Sequence, residues 1–124
     1  MQIDIATDRS MIAAARKARP ARRPWLALLS TVMTLAGGKA ELVRHSERAW
    51  ASALFSGTRH AIVLAFTGEE AIASADTLIA RLPDHEFAIP GQLVAEVLIA
   101  RIDQTTLPQP RMELELELLL LEDC

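Results

Sequence analysis

The sequence predicts a single α+β domain over residues 1–124, with helices packed on a five-stranded, mainly antiparallel sheet. Three observations predict this class: two glycine-containing turn signals, one strongly amphipathic helical segment, and a closing segment in which apolar and acidic residues alternate. The chain is 51% hydrophobic and 23% charged, a composition typical of a folded globular protein and not of a disordered one. The predicted order of elements is α-β-β-β-α-β-β.

The first half of the chain is predicted to form one helix and a three-stranded meander. Residues 7–19 carry an apolar stripe at helical spacing and are followed by a proline, which is typical of a helix end. Two turn signals then separate apolar-rich runs: the Gly-Gly pair at 37–38 and the Ser-Gly-Thr triplet at 56–58. Residues 26–66 are therefore interpreted as three strands joined by two hairpins.

The second hairpin sets the predicted pairing register and hence the two faces of the sheet. A two-residue turn at Gly57 and Thr58 places Phe55 opposite His60 and sets a row of alanines against large apolar residues. We call the face that these residues share the core face, and we expect helix 67–82 to cover it. Its predicted members are Ala49, Ala51, Ala53, Ile62, Leu64 and Phe66, and further back along the strand Val43, His45 and Glu47.

The second half is predicted to contain the best-defined helix and two further strands. Thr67 and Glu70 have the spacing of a capping box at the start of helix 67–82, and a proline follows its end. Residues 86–103 are interpreted as a strand that a Pro-Gly pair bends or interrupts. Residues 112–121 are interpreted as the closing strand, since their residues alternate with period two.

The closing strand is expected to divide its side chains between the two faces. The core-face members are Met112, Leu114, Leu116, Leu118 and Leu120. Glu113, Glu115 and Glu117 are expected on the opposite face, here called the outer face, together with Arg44 and Arg48. Alternate residues of one strand lie about 6.8 Å apart, so these glutamates alone do not make a metal site. We expect them to be solvated and partly paired with arginines.

The outer face is also predicted to carry an apolar patch that a second subunit covers. Both alternate sets of residues 61–66 and 93–100 are apolar, which is expected of strands covered on both sides. The interface candidates are Trp50, Leu54, Val63 and Leu119. A leucine-rich closing strand at the end of the sheet would need its edge covered, so we expect a homodimer or higher homo-oligomer. The alternative is that helix 7–19 covers this patch.

Motifs with specific chemistry are absent from the sequence. There is no phosphate-binding loop, nucleophile elbow, zinc-protease motif or dinucleotide fingerprint, so we expect no catalytic centre, no bound metal and no cofactor. His45 and Glu47 share a face and are the candidate ligand-binding pair, able to act as acid and base in a pocket. The alternative is that this end of the strand extends past the helix into water. In the predicted register His45 lies far from His60, and residues 84–86 are expected to form a hydrophilic loop.

Charge and cysteine content bear on partners and location. Residues 1–48 hold nine Lys and Arg against four Asp and Glu, whereas residues 49–124 hold four against twelve. The acidic overall balance and the lack of aromatics among the basic residues 16–23 make nucleic acid an unexpected partner. Residues 21–40 loosely resemble a twin-arginine leader, but their uncharged run is too short to span a membrane. The only cysteine is Cys124, which favours a cytoplasmic protein.

These observations favour a non-enzymatic homo-oligomeric assembly or interaction module. The alternative is a small-molecule-binding or enzymatic domain with its pocket near His45 and Glu47. The two classes differ in the surroundings of this pair, since an enzyme requires both side chains inside a cleft.

Overall fold

A computed structural model describes residues 24–122 as four strands and two helices in the order α-β-β-α-β-β. The α+β class is confirmed, but the sheet has four antiparallel strands where five were predicted. The predicted helix 7–19 lies outside the described residues. The elements are helix α1 (residues 24–35), strand β1 (Glu41–Ala51), strand β2 (Ser56–Thr67), helix α2 (Glu69–Arg81), strand β3 (Gln92–Thr105) and strand β4 (Arg111–Glu122).

Helix α1 occupies the segment in which the first strand was predicted. Its fully buried residues Leu28, Val32 and Ala36 recur every four positions, which is the spacing of one helix face and not of a strand. The strand prediction was wrong because an apolar run of this length fits either element until its burial is known.

The glycine pair after α1 ends this helix and does not form a hairpin. Gly37 donates its N–H to the carbonyl of Thr34 at 2.9 Å, and Gly38 donates to the carbonyl of Met33 at 3.0 Å. These two bonds define a Schellman motif, which requires a left-handed residue directly after the helix. Gly37 meets that requirement with φ of 69°.

The turn between β1 and β2 lies at residues 52–55, so its centre is four residues before that of the predicted turn at Gly57 and Thr58. Ser52 holds it, because its backbone N–H donates to the Phe55 carbonyl at 2.8 Å and its hydroxyl accepts the N–H of Phe55 at 3.2 Å. The resulting register pairs His45 with Ile62 and Glu47 with His60. The β1 partners of residues 60–63 are therefore displaced by eight residues from the prediction, and beyond the irregularity between Leu42 and Arg44 the displacement is nine. An even displacement preserves the side of the sheet to which each side chain points.

Gly57 gave a misleading turn signal because it lies inside β2. A methyl group at this position would overlap the carbonyl oxygen of Leu120 on the neighbouring strand. Glycine within a strand often marks such a close approach of two backbones.

Helix α2 confirms the predicted helix, although its start differs. Gly68, with φ of 94°, precedes the helix and no side chain caps it, so the predicted capping box does not form. Thr67 ends strand β2, and its hydroxyl accepts a hydrogen bond from Arg111 Nη1 at 3.2 Å. Strand β3 begins at Gln92, after the Pro-Gly pair, so the stretch before this pair is not part of the strand.

The four strands are ordered β1-β2-β4-β3, which makes β4 a central strand. It pairs with β2 along one edge and with β3 along the other. Both edges of the closing strand are therefore paired within the chain. The prediction that this strand has an open edge in need of covering was wrong. Strands β1 and β3 form the edges, and β3 carries two register irregularities, between Val94 and Glu96 and between Ile99 and Arg101. Bulges of this kind are one means by which edge strands avoid pairing with other chains.

The hydrophobic core lies between the helices and one face of the sheet. The predicted core-face residues of β2 and β4 are all buried, which confirms the assignment: Ile62, Leu64, Phe66, Met112, Leu114, Leu116, Leu118 and Leu120. The alanine part of the prediction was wrong, since Ala49, Ala51 and Ala53 are exposed. They lie at the turn end of edge strand β1, and α2 contacts β2 and β4 instead.

The outer face carries the three glutamates of β4, as predicted, and arginines pair with them. Arg101 Nε donates to Glu115 at 3.2 Å and Arg111 Nη2 to Glu113 at 3.1 Å, while Arg59 lies 3.9 Å from Glu117. The predicted partners Arg44 and Arg48 share this face but lie on β1, which is separated from β4 by β2.

Candidate functional site

Three side chains with ligand atoms meet on the core face where β1 pairs with β2. His45 and Glu47 are two positions apart on β1 and so point to the same side. His60 of β2 lies directly opposite Glu47 in the antiparallel register. Directly opposed residues place their Cβ atoms about 5 Å apart, close enough for the three side chains to touch.

The three side chains form a compact cluster, here called the His-Glu cluster. His45 Nε2 and His60 Nδ1 are 2.9 Å apart and share one hydrogen bond. Glu47 Oε1 lies 3.9 Å from His45 Nε2 and 4.0 Å from His60 Nδ1. All three ligand atoms lie within 4.8 Å of one another. The cluster can therefore share a proton among its members or hold a cation between them.

Trp25 of helix α1 covers one side of this cluster. Its ring is stacked on His45 with the centroids 3.5 Å apart and the planes 9° from parallel. The ring of His60 is parallel to Trp25 within 7° but farther away, at 5.6 Å. The stack restrains the plane of the His45 ring and shields that side of the cluster from water.

Burial changes the proton affinity of all three groups. It lowers the pKa of His60 to about 4, and the neighbouring His45 adds to this effect because two imidazolium charges would repel. Burial also lowers the pKa of His45 and raises the pKa of Glu47. Both imidazoles are consequently neutral at pH 7, so one ring can donate and the other accept.

The structure brings together residues that the predicted register separated. The expectation that His45 and His60 lie far apart was wrong, because the turn is at Ser52 and not at Gly57. His60 was consequently missing from the predicted site. Ser52 was the available signal, since a serine hydroxyl can satisfy the N–H groups of a short turn.

The acidic segment at the end of α2 does not bring its ligand atoms together. Asp84, His85 and Glu86 do not gather their ligand atoms into a group among residues 24–122. The ring of His85 packs edge-on against Phe87 with the centroids 4.8 Å apart. Its position is that of a loop side chain, as the sequence predicted.

The four predicted interface residues have different surroundings. Leu54 is 85% exposed at the tip of the β1–β2 hairpin, and Trp50 beside it is partly buried. Val63 and Leu119 are only 2% and 6% exposed. Two of the four candidates are thus accessible to a partner.

Comparison with known proteins gives no relative for this chain: no family model, curated protein or solved structure matches it. Neither helix within residues 24–122 is long and apolar enough to cross a membrane. The fold places this chain among α+β domains with helices on one face of an antiparallel sheet. Its function has to be inferred from the His-Glu cluster itself.

Proposed function

We propose that this domain binds a divalent transition-metal ion of the zinc class through His45, His60 and Glu47. The observation that supports the proposal is the convergence of three ligand atoms from two adjacent strands within 4.8 Å. Two imidazole nitrogens and one carboxylate oxygen form a donor set that zinc, cobalt and nickel accept.

The distances in the cluster are close to those that a bound ion requires. Metal–nitrogen bonds of about 2.05 Å at tetrahedral angles place two ligand nitrogens about 3.4 Å apart. The present separation of 2.9 Å between His45 Nε2 and His60 Nδ1 would have to open slightly, while Glu47 moved inward from 3.9–4.0 Å. Each ring must also turn so that its lone pair points at the ion.

The protonation states of the cluster also favour metal binding. A metal ligand must be a neutral imidazole, and burial lowers the pKa of both His45 and His60. An ion would not have to displace protons from imidazolium groups at pH 7. A cation would also stabilise the ionised form of Glu47, whose pKa burial raises.

Acid–base catalysis by the same residues has weaker support. It requires a substrate cavity beside His45 and Glu47. Glu47 does line a cavity of about 230 Å³, but Arg48, Arg59 and Glu117 line it as well. Those three residues belong to the outer face, opposite to the two histidines.

The proposal is tested by titrating chelator-treated protein with Zn²⁺ and Ni²⁺ in a calorimeter. We expect one equivalent of each ion to bind. Separate His60→Ala and Glu47→Gln variants should weaken binding by about 100-fold or more, because loss of a ligand exceeds the 10–100-fold effect of outer-shell changes.

The chain offers matched controls for both substitutions. His85→Ala and Glu86→Gln remove the same groups from the loop after α2, so their affinities should equal that of the unmodified protein. Binding that persists in the His60→Ala variant, or no stoichiometric binding at all, would refute the proposal.

A second candidate function is that of a homo-oligomeric interaction module, which one observation favours. On the outer face, Trp50 and Leu93 lie in one cross-sheet row with Leu121 between them, and Leu93 is 59% exposed. Leu54 and Phe55 at the adjacent hairpin tip are 85% and 53% exposed. An apolar cluster of this size at one end of a small sheet suits a self-complementary contact with a second copy.

Sedimentation of the full chain tests this second candidate. A dimer should form at micromolar concentration, and Leu54→Lys should shift it toward monomer, because a charge would then be buried at the contact. The exposed Leu107, 82% accessible on the opposite loop, provides the matched Leu107→Lys control. A monomer of 13.6 kDa at high concentration of the unmodified protein would exclude the module.

A cytoplasmic location is also proposed, on the basis of cysteine content. The chain has one cysteine, so it has no internal disulfide to form in an oxidising compartment. Fractionation of cells that express the full chain would test this location. Recovery from an extracytoplasmic fraction would exclude it.

A further inference from the structure

We infer that a metal ion held by the His-Glu cluster keeps one coordination position open for a small exogenous donor. This inference rests on the proposed metal-binding function. It assigns the site to the catalytic type of zinc centre, in which three protein ligands leave a fourth position to water or substrate.

The number of converging ligands is the first basis for this inference. Zinc in structural sites is almost always bound by four protein side chains. Within residues 24–122 the cluster supplies three: His45, Glu47 and His60. The ion's fourth position is then available to a water molecule or another small donor.

The uneven exposure of the cluster shows on which side that position lies. His60 is 4% exposed and cannot face bulk water. The Trp25 ring lies over the face of His45 at 3.5 Å. The side chain of Glu47, in contrast, is 51% exposed on edge strand β1. Solvent therefore reaches the cluster from the Glu47 side, which is where an exogenous donor would enter.

Charge defines the class of donor that this position favours. Two neutral imidazoles and one carboxylate leave a divalent ion with a net charge of +1. The nearby low-dielectric core strengthens the attraction of that charge for an anion. We therefore expect the site to take small monovalent anions, such as hydroxide or azide, and to polarise an oxygen donor of similar size.

Cobalt spectroscopy of the full chain tests both metal binding and the open coordination position. One equivalent of Co²⁺ should give the intense visible bands of a four-coordinate ion, and excess sodium azide should then shift those bands along a saturation curve for a single site. Sodium perchlorate at the same ionic strength is the control, because perchlorate coordinates weakly and should leave the spectrum unchanged.

The outcomes separate the two claims. If cobalt binds and azide leaves its bands unchanged, the fourth position is closed and the inference is overturned, while metal binding stands. If cobalt does not bind, both are overturned. A Cys124→Ser variant is measured in parallel, since Cys124 is the only thiol in the chain. An azide response that appears only in this variant would show a thiolate in the fourth position and would also overturn the inference.

Discussion

A single buried histidine links the sequence, the fold and the proposed site. His60 lies in β2 beside a row of core leucines and is the one polar side chain among the buried residues of the described chain. Its hydrogen-bonding partner is another histidine, so its charged form gains no favourable charge from that contact. Such a residue is costly to protonate in the folded protein, and this cost can be measured.

The stability of the metal-free protein should fall as the pH falls from 6.5 toward 4. The pKa of His60 is lowered to about 4 in the folded protein, against 6.5 for an ordinary histidine. Between these values the unfolded chain binds more protons, so acidification favours unfolding, by about 3 kcal/mol at most. Urea unfolding of chelator-treated protein at a series of pH values measures this slope.

His45 and Glu47 of the His-Glu cluster also affect how the stability depends on pH. The lowered pKa of His45 acts with the same sign, whereas the raised pKa of Glu47 acts with the opposite sign just above its usual value of 4.5. His60→Gln should flatten the slope because an amide does not titrate. His85→Gln should leave it as it is, and an unchanged slope in His60→Gln would contradict the prediction.

At the scale of elements, the β1–β2 hairpin decides whether the site exists. Its turn at Ser52 sets Glu47 opposite His60, whereas the turn predicted at Gly57 would have separated the two histidines. Gly57 has a different role, since its lack of a side chain lets β2 lie against the backbone of β4. Two glycine signals in this sequence thus mark a helix end and a close strand approach, and neither marks a hairpin.

Gly57→Ala should destabilise the protein by about 3 kcal/mol, because the added methyl group overlaps the Leu120 carbonyl and forces two central strands apart. Gly38→Ala is the matched control. That glycine has φ of 71° but open space around it, so only the left-handed conformation is penalised, by about 1 kcal/mol. Thermal or urea unfolding gives both values. Equal effects at the two positions would contradict the proposed strand contact.

At the scale of the whole molecule, the central position of β4 changes what its leucines do. Hydrogen bonds to β2 and β3 occupy both edges of this strand, so the molecule offers β1 and β3 as edges instead. Leu119 was predicted to face a partner, yet it is 6% exposed within the chain. A substitution of Leu119 should therefore lower the stability of the folded monomer, whatever its effect on assembly.

Leu119→Lys should therefore lower the free energy of unfolding by about 3–5 kcal/mol, through lost apolar contacts and a buried charge. Leu54→Lys should change it by no more than about 0.5 kcal/mol in the monomer, since Leu54 is 85% exposed. Urea unfolding at low protein concentration compares the two. A fully stable Leu119→Lys monomer would show that burial of this leucine on the outer face does not stabilise the fold.

The sequence by itself determined the features that depend on local periodicity. The alternation in β4 correctly placed five apolar side chains in the core and Glu113, Glu115 and Glu117 on the outer face. The amphipathic spacing of α2 and the α+β class were likewise predictable. The faces of β4 survive the error in the β1–β2 register because they depend only on the alternation of side chains along β4 itself.

Only the tertiary structure decided which strands pair and which residues meet. An apolar run such as 24–35 has no intrinsic preference strong enough to choose helix or strand, and packing against the sheet selected the helix. The contacts of His45, Glu47 and His60 depend on the position of a short turn, and moving this turn by four residues changes the pairing of the two strands by eight. Trp25 reaches His45 across 20 residues of chain because α1 folds over β1. Contacts between residues that are far apart in sequence depend on long-range packing, which no local sequence pattern encodes.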